Sequence, residues 1–202
     1  MVVDVPVREA TAGAELAQQR RCEAHLRQAV RTNRYVQQLL QALSSAGCAM
    51  DVSRWQTEVD AGGDSAVACR HCDADVGGGY QEDGRVVICA NHMQSAAHVA
   101  VTLAHELIHA YDHCRIDLQW DNCLHHACSE IRAAALSGDC DWIREVARSN
   151  FRIGGQFQRC VKRRAEISVR KNRNCTPLQA REAVEQAFEA CYRDTAPFDA
   201  IP

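Results

Sequence analysis

Twelve cysteines, spread over nearly all of the 202 residues, limit the possible folds of this chain more than any other property. A structural zinc site usually shows two close cysteine pairs, and only Cys69 and Cys72 form such a pair. An even number of dispersed cysteines favours a disulfide framework made in an oxidising compartment. The alternative is that several are small buried side chains in a reducing cytosol. The cysteines lie at positions 22, 48, 69, 72, 89, 114, 123, 128, 140, 160, 175 and 191.

Charge and hydropathy disfavour two classes of protein. The chain has 23 Lys and Arg against 26 Asp and Glu, a formal net charge of −3. No nucleic-acid partner is expected, because a protein that mainly grips nucleic acid carries a clear basic excess. Ser95–Ala104, an uncharged stretch near the centre, falls well short of the ~20 residues of a spanning helix. The first residues lack the basic start and apolar run of a secretory signal, and Asp4 and Glu9 do not suit an Arg-rich transit peptide.

The chain is predicted to be one domain with a short lead-in. Residues 1–13 are expected to be flexible, and residues 14–202 are expected to form the single domain. Within it we expect an N-terminal helical segment of one or two helices at 14–46, a core at 66–136 and C-terminal helices at 139–193.

Apolar patterning predicts a mostly helical α+β fold with one small sheet. Asp83-Gly84 is the turn signal of a hairpin. Thr176, Pro177 and Gln179 mark the start of the last helix as N-cap, first helical residue and capping box. The predicted strands are 67–69, 76–80 and 86–89, after a turn at 62–65. The other predicted helices are 95–114, 121–136, 139–148 and 156–169.

The segment His105-Glu106-Leu107-Ile108-His109 carries the predicted chemistry. On a helix, histidines four residues apart lie on one face, so both imidazoles reach a single zinc ion at ~2.0–2.1 Å. Glu106 is then placed to act as general base on a water at the metal. The alternative is a buried helix whose histidines hydrogen-bond elsewhere. A charged glutamate between them would be an odd choice for such a core.

A third metal ligand is expected downstream. Glu130 lies 21 residues after His109 on the next predicted helix, which would present its carboxylate as in gluzincin-type proteases. The alternative for Glu130 is a salt bridge to a nearby arginine. Asp112, three residues after His109, better suits hydrogen bonding to a ligand. The remaining candidate ligands are Asp121, His125 and His126. The candidates for stabilising an oxyanion, left open here, are Tyr111, His113, His125 and Arg132.

Two further segments can be interpreted either as binding surfaces or as purely structural features. Val86–Cys89 could be an exposed edge strand that pairs with an extended peptide, or it could simply cover the core. Lys162–Arg164 and Arg170–Arg173 form a basic segment that is either a solvated helix face or a contact with anionic lipid.

These motifs are similar to those of a known family. The sequences from His105 to Arg115, from Ala127 to Ala134 and from Leu136 to Cys140 resemble the mitochondrial inner-membrane metalloproteases that mature ATP synthase subunit 6, whose animal members are also described as Ku-binding protein. The likeness covers roughly residues 66–202. It also includes Cys69, Cys72, Gly78-Gly79-Tyr80, Cys89, Cys160, Cys191 and Ala196-Pro197-Phe198.

The resemblance implies a zincin-like, gluzincin-type domain that carries a small β-hairpin before the metal helix and is stapled by disulfides. It implies a zinc endopeptidase of the intermembrane space, peripheral to the inner membrane. The substrate would be the precursor of ATP synthase subunit 6, and such proteins also assist assembly of the proton-conducting sector. His105 and His109 would bind zinc, and Glu106 would be catalytic. The family is associated with ten cysteines, so that Cys123 and Cys175 are the additional two.

Three other functions remain as alternatives. The chain could be an assembly chaperone whose peptidase activity is dispensable. It could be a nuclear protease with the same motif that acts on DNA-associated proteins, which the acidic balance and the cysteines disfavour. It could also be a purely structural cysteine-stapled domain, which would bind no stoichiometric zinc.

Overall fold

The computed structural model describes residues 5–10, 12–52, 66–81, 83–150 and 154–202. Helices dominate, and the mostly helical α+β class with one small sheet is confirmed. The predicted turn at 62–65 lies outside the described residues. The strands are β1 (Val7–Arg8), β2 (Val67–Cys72), β3 (Gly78–Tyr80) and β4 (Val86–Cys89). The helices are α1 (Gly13–Thr32), α2 (Arg34–Ser45), α3 (Ala96–Arg115), α4 (Cys123–Leu136), α5 (Trp142–Ala147), α6 (Gln156–Val169) and α7 (Pro177–Arg193), with a 3₁₀ turn at Ala90–His92.

The four strands form one sheet in the order β1-β2-β4-β3. β2 and β4 are parallel, whereas β3 and β4 are the predicted antiparallel hairpin. Gly84 takes a φ of +85° in its turn, a conformation that suits glycine. Of the two interpretations of Val86–Cys89, the exposed edge is contradicted, because β4 pairs on both sides and its four residues are buried. The edge strands of this sheet are β1 and β3, and β3 is the one that pairs with β4.

The helix with the two histidines runs through the centre of the molecule. Ser95 begins α3 by accepting a hydrogen bond from the backbone N–H of His98 (3.2 Å). The helix packs against α1, α2, α4 and β3, so it is buried on more than one face. This surrounding packing holds the motif residues in fixed positions.

All twelve cysteines form six disulfides, so the predicted framework is confirmed. Cys128–Cys191 joins α4 to α7, and Cys48–Cys114 joins the end of α2 to α3. Cys123 and Cys175, which the resemblance suggested as the additional two, bond to each other. The other bonds are Cys22–Cys69, Cys72–Cys89 and Cys140–Cys160.

The described N-terminal residues contain one strand that the sequence did not predict, and the predicted helical segment at 14–46 is present as two helices. Val7 and Arg8, expected in a flexible lead-in, pair with Cys72 and His71 of β2. Two helices follow because Asn33 is extended, with a φ of −87° and a ψ of 112°, and its side chain caps α2. α5 is shorter than predicted. In the described part of the chain, no helix has the length and hydropathy needed to cross a bilayer.

Candidate metal centre

α3 places His105 and His109 one turn apart. Their ring centroids lie 4.8 Å from each other. His109 is fully buried, and the His105 side chain is 18% exposed. One imidazole therefore anchors the pair in the core, while the other lies at an opening to solvent.

α4 brings the third predicted residue to this pair. Glu130 Oε2 lies 3.5 Å from His105 Nε2, and Glu130 Oε1 lies 3.6 Å from His109 Nε2. One ligand atom from each of the three residues lies within 4.8 Å of the others. Two imidazole nitrogens and a carboxylate oxygen at this spacing are a donor set for one divalent ion.

Two buried polar atoms at this point support the fit to a metal. Among the described residues, neither His109 Nε2 nor Glu106 Oε2 has a hydrogen-bond partner. Buried polar atoms are normally satisfied, and an ion on His109 with a water beside Glu106 would satisfy both. Burial lowers the pKa of His109 well below its ordinary value, which keeps the ring neutral as a ligand must be.

Glu130 is the ionised member of this donor set. Burial opposes its ionisation, but His109, His105 and His126 hold the pKa of Glu130 well below its ordinary value. The negative charge in a buried position is what a cation would neutralise.

Glu106 lies under the edge strand β3. The side chain is buried, and burial raises its pKa, although a hydrogen bond from the backbone of Tyr80 acts in the opposite direction. Gly78 allows this approach, because a Cβ at that position would lie 2.6 Å from the Val87 carbonyl oxygen and 3.5 Å from Glu106 Cγ. The absence of a side chain at Gly78 thus brings peptide backbone next to the proposed base.

A cleft of about 400 Å³ opens onto these residues. The α3 wall carries His98, Thr102, His105 and Glu106, and Glu130 of α4 lies behind them. Gly77 and Gly78 of the hairpin segment form another wall, and the remaining wall is basic. Its charged residues are Asp139, Arg148, Arg164 and Lys171.

A profile of the peptidase M76 family matches residues 20–199 of this chain. The chain belongs to the peptidase M76 family. It is 38% identical to the human mitochondrial inner membrane protease ATP23 homolog over 184 residues, 90% of this chain and 70% of the relative. It is 38% identical to the Malassezia globosa mitochondrial inner membrane protease ATP23 over 188 residues, 89% of this chain and 76% of the relative. The Danio rerio homolog is 39% identical over 184 residues, covering 90% and 68%.

The family and its relatives make this chain a metallopeptidase, as the motif predicted. No solved structure matches it.

In this M76 chain, His109 is held from behind by α4. Its Nδ1 lies 2.8 Å from Ser129 Oγ, which donates a hydrogen bond to Asp112 Oδ2 at 3.0 Å. Arg132 Nε donates to Asp112 Oδ1 at 2.9 Å. The predicted supporting position of Asp112 agrees with this arrangement. Ser129 was missed, because a lone serine on a helix carries no signal of its own.

His126 lies against Glu130 and outside the cluster of three donor residues. Its Nε2 is 3.4 Å from Glu130 Oε1. Asn172 Nδ2 donates both to the Trp120 carbonyl (2.8 Å) and to His126 Nδ1 (3.0 Å), which leaves the ring proton on Nε2. The Nε2 atom of His126 therefore faces Glu130, although the two groups form no hydrogen bond in the described structure.

The remaining sequence candidates are engaged elsewhere. His113 contacts the hydroxyl of Tyr80 (2.9 Å), and His125 Nδ1 accepts from the Gln119 backbone (3.3 Å). Arg132 is 1% exposed and pairs with Asp112 and Asp194. The described cleft lining includes neither these side chains nor Tyr111 or Asp121.

Proposed function

We propose that this chain is a zinc-dependent endopeptidase of zincin-like, gluzincin-type architecture, with residues 14–202 as its single catalytic domain. His105, His109 and Glu130 hold the zinc, and Glu106 is the general base. The observation that carries the proposal is the cluster of three donor atoms within 4.8 Å of one another. Beside it lies Glu106, whose Oε2 atom is buried and has no hydrogen-bond partner among the described residues.

The donor set favours zinc over harder cations. Imidazole nitrogen suits zinc, whereas magnesium and calcium prefer all-oxygen sites. Three protein ligands also match a catalytic zinc site, which keeps a fourth position for water or substrate. When bound, zinc supplies a Lewis acid that polarises the scissile carbonyl and lowers the pKa of water.

Glu106 performs the proton transfers. Its Oε2 accepts a proton from the attacking water and passes it to the nitrogen of the leaving amine. Because burial raises the pKa of Glu106, its carboxylate is a stronger base than one in water. Tight packing of α3 keeps this carboxylate in a fixed position relative to the two histidines.

The strand β3 is suited to hold an extended peptide. Gly77 accepts from the Cys89 N–H (2.9 Å), and Gln81 donates to the Arg85 carbonyl (2.7 Å). Alternate residues of an antiparallel strand point their backbone groups to opposite sides, so Gly78 directs its groups away from β4. A substrate strand can add at this edge beside Glu106.

The substrate and compartment are further parts of the proposal. The relatives are named mitochondrial inner membrane proteases, and the family resemblance implies the ATP synthase subunit 6 precursor as substrate. The six disulfides support an oxidising compartment, here the intermembrane space, with the enzyme peripheral to the inner membrane. They do not favour the nuclear alternative.

The substitution Glu106→Gln tests the proposal. The purified variant should keep one zinc per chain and lose cleavage of the subunit 6 precursor, since only the proton acceptor is removed. Glu189→Gln, on the exposed side of α7, is the matched control and should cleave normally. Cleavage by the Glu106 variant, or wild-type protein without stoichiometric zinc, would rule out the assignment. Assembly of ATP synthase that survives in cells with the inactive variant would instead support the chaperone alternative.

A further inference from the structure

Two adjacent large apolar side chains at the start of α5 are exposed. Trp142 is 53% exposed and Ile143 is 81% exposed. Single exposed apolar residues are common, but an adjacent exposed pair of this size indicates a surface that contacts a membrane or another molecule. We call Trp142 and Ile143 the apolar tip.

Four basic side chains belong to α5, to the residue that follows it, or to α6, which is joined to α5 by an ion pair. Arg144 follows the apolar tip directly and donates to the Ala97 carbonyl (2.9 Å) at the N-terminal end of α3. Glu145 of the same short helix forms an ion pair with Arg163 of α6, with 2.7 Å between Glu145 Oε1 and an Arg163 guanidinium nitrogen. We call the cations of this region the basic rim, and they are Arg144, Arg148, Arg163 and Arg164.

The acids that pair with the basic rim lie in the interior. Asp139 and Glu145 are buried, whereas the side chains of Arg148, Arg163 and Arg164 are 31%, 38% and 38% exposed. The guanidinium groups therefore reach solvent while their counter-charges do not. Asp141 beside the apolar tip is exposed, but its single charge offsets only part of this positive surface.

The basic rim continues into the active-site cleft. Arg148 and Arg164 line the same cleft as His105 and Glu106. Ile167 and Lys171 of the next turns also border it. The basic rim therefore extends from the helix that carries the apolar tip to the lining of the cleft.

We propose that the apolar tip and the basic rim dock the protein on an anionic phospholipid bilayer, with the cleft facing the membrane surface. Tryptophan favours the headgroup region, an inserted isoleucine gains from burial, and arginines gain from anionic headgroups. Stable binding to a bilayer takes two such signals together, and this surface has both. The inference deepens the proposed function and rests on it for one consequence: substrates would be cleaved where they emerge from the bilayer.

Vesicle sedimentation tests the docking directly and does not depend on activity. Wild-type protein should bind vesicles of phosphatidylcholine with about one fifth phosphatidylglycerol, should bind pure phosphatidylcholine weakly, and should lose binding as salt is raised. The double variant Trp142→Ser, Ile143→Ser should bind the anionic vesicles about tenfold less tightly. The matched control is Ile116→Ser, which removes a 49% exposed isoleucine beyond the far end of α3. It lies about 28 Å along the helix from Ala97 and should bind normally.

Fluorescence locates the contact. The emission of wild-type protein should shift to the blue on addition of anionic vesicles, and Trp142→Phe should bind while losing most of that shift. Equal binding by the double variant would overturn the proposal. Absence of wild-type binding to anionic vesicles would also overturn it and would direct the search to a protein that covers the apolar tip.

Activity then separates this inference from the proposed function. The double variant should cleave a soluble peptide at the wild-type rate and a vesicle-anchored peptide several times more slowly. Failure of wild-type protein to cleave either peptide would count against the proposed function and leave the vesicle-binding result unaffected. Equal rates of wild type and double variant on the anchored peptide would count against the docking surface.

Discussion

His109 of α3 and Ser129 of α4 are joined by a hydrogen bond of 2.8 Å between Nδ1 and Oγ. The hydroxyl proton of Ser129 goes to Asp112, so the serine oxygen accepts from the Nδ1–H of His109 and the lone pair of Nε2 is turned to the metal position. Glu130 follows Ser129 directly. One register of α4 against α3 therefore places both the second imidazole and the third ligand.

Ser129→Ala should weaken zinc binding by about 10- to 100-fold, because the ring of His109 loses the partner that sets its orientation. Competition with a chelating indicator would measure the change. Ser44→Ala, at an exposed position of α2, should bind zinc like wild type. Unchanged affinity of the Ser129 variant would mean that packing alone orients His109.

His126→Leu should weaken zinc binding by about tenfold, because the polar Nε2 atom that faces Glu130 Oε1 at 3.4 Å is lost. Asn172→Ala should have a smaller effect in the same direction, since it frees the ring orientation of His126. A double-mutant cycle on zinc affinity should therefore be non-additive. Additive losses would show that Asn172 does not act through His126.

Gly78→Ala should abolish most peptide cleavage while zinc remains bound. A Cβ would meet the Val87 carbonyl at 2.6 Å, so β3 must move away from β4 and from Glu106. Steady-state kinetics with metal analysis would check this. Gly13→Ala is the control, since a Cβ there meets nothing within 4 Å. Wild-type turnover by the Gly78 variant would contradict the role of β3 at the site.

Asp139 should make the folded state sensitive to acid. Burial opposes its ionisation, but Arg164 and Arg148 lower its pKa from 3.8 to about 2. Because the folded pKa is the lower one, the carboxylate contributes about 2 kcal/mol above pH ~4, and this is lost as the pH falls toward about 2.

Denaturant unfolding across this pH range tests the role of Asp139. Asp139→Asn should lower the free energy of unfolding by about 2 kcal/mol at pH 7 and show a weaker dependence on acid. The exposed Asp199→Asn should match wild type at each pH. If the Asp139 variant has the same dependence of unfolding free energy on pH as wild type, the ion pairs of Asp139 with Arg148 and Arg164 do not contribute to stability.

Prediction from sequence succeeded where the signal is local. The span of α6, the hairpin at Gly84 and the cap at Thr176 follow from short-range turn and capping chemistry, and all three are present. The sequence left open which strand lies at the edge of the sheet, because strand order depends on long-range pairing: Val86–Cys89 pairs with both β2 and β3. A short hydrophobic strand has the same sequence pattern at the edge of a sheet as in its middle, so the pattern does not give its position.

The sequence by itself determined that two imidazoles share one helical face with a carboxylate between them, since a four-residue spacing has this consequence in any α-helix. It also supplied the even set of dispersed cysteines. The sequence also favoured Glu130 among the downstream candidates, but only the tertiary structure brought it to the two imidazoles and placed Ser129 and His126 behind them. The tertiary structure also laid β3 over Glu106 and joined each cysteine to its partner. These contacts join residues far apart in the chain, and their distances depend on how the helices pack rather than on any local spacing.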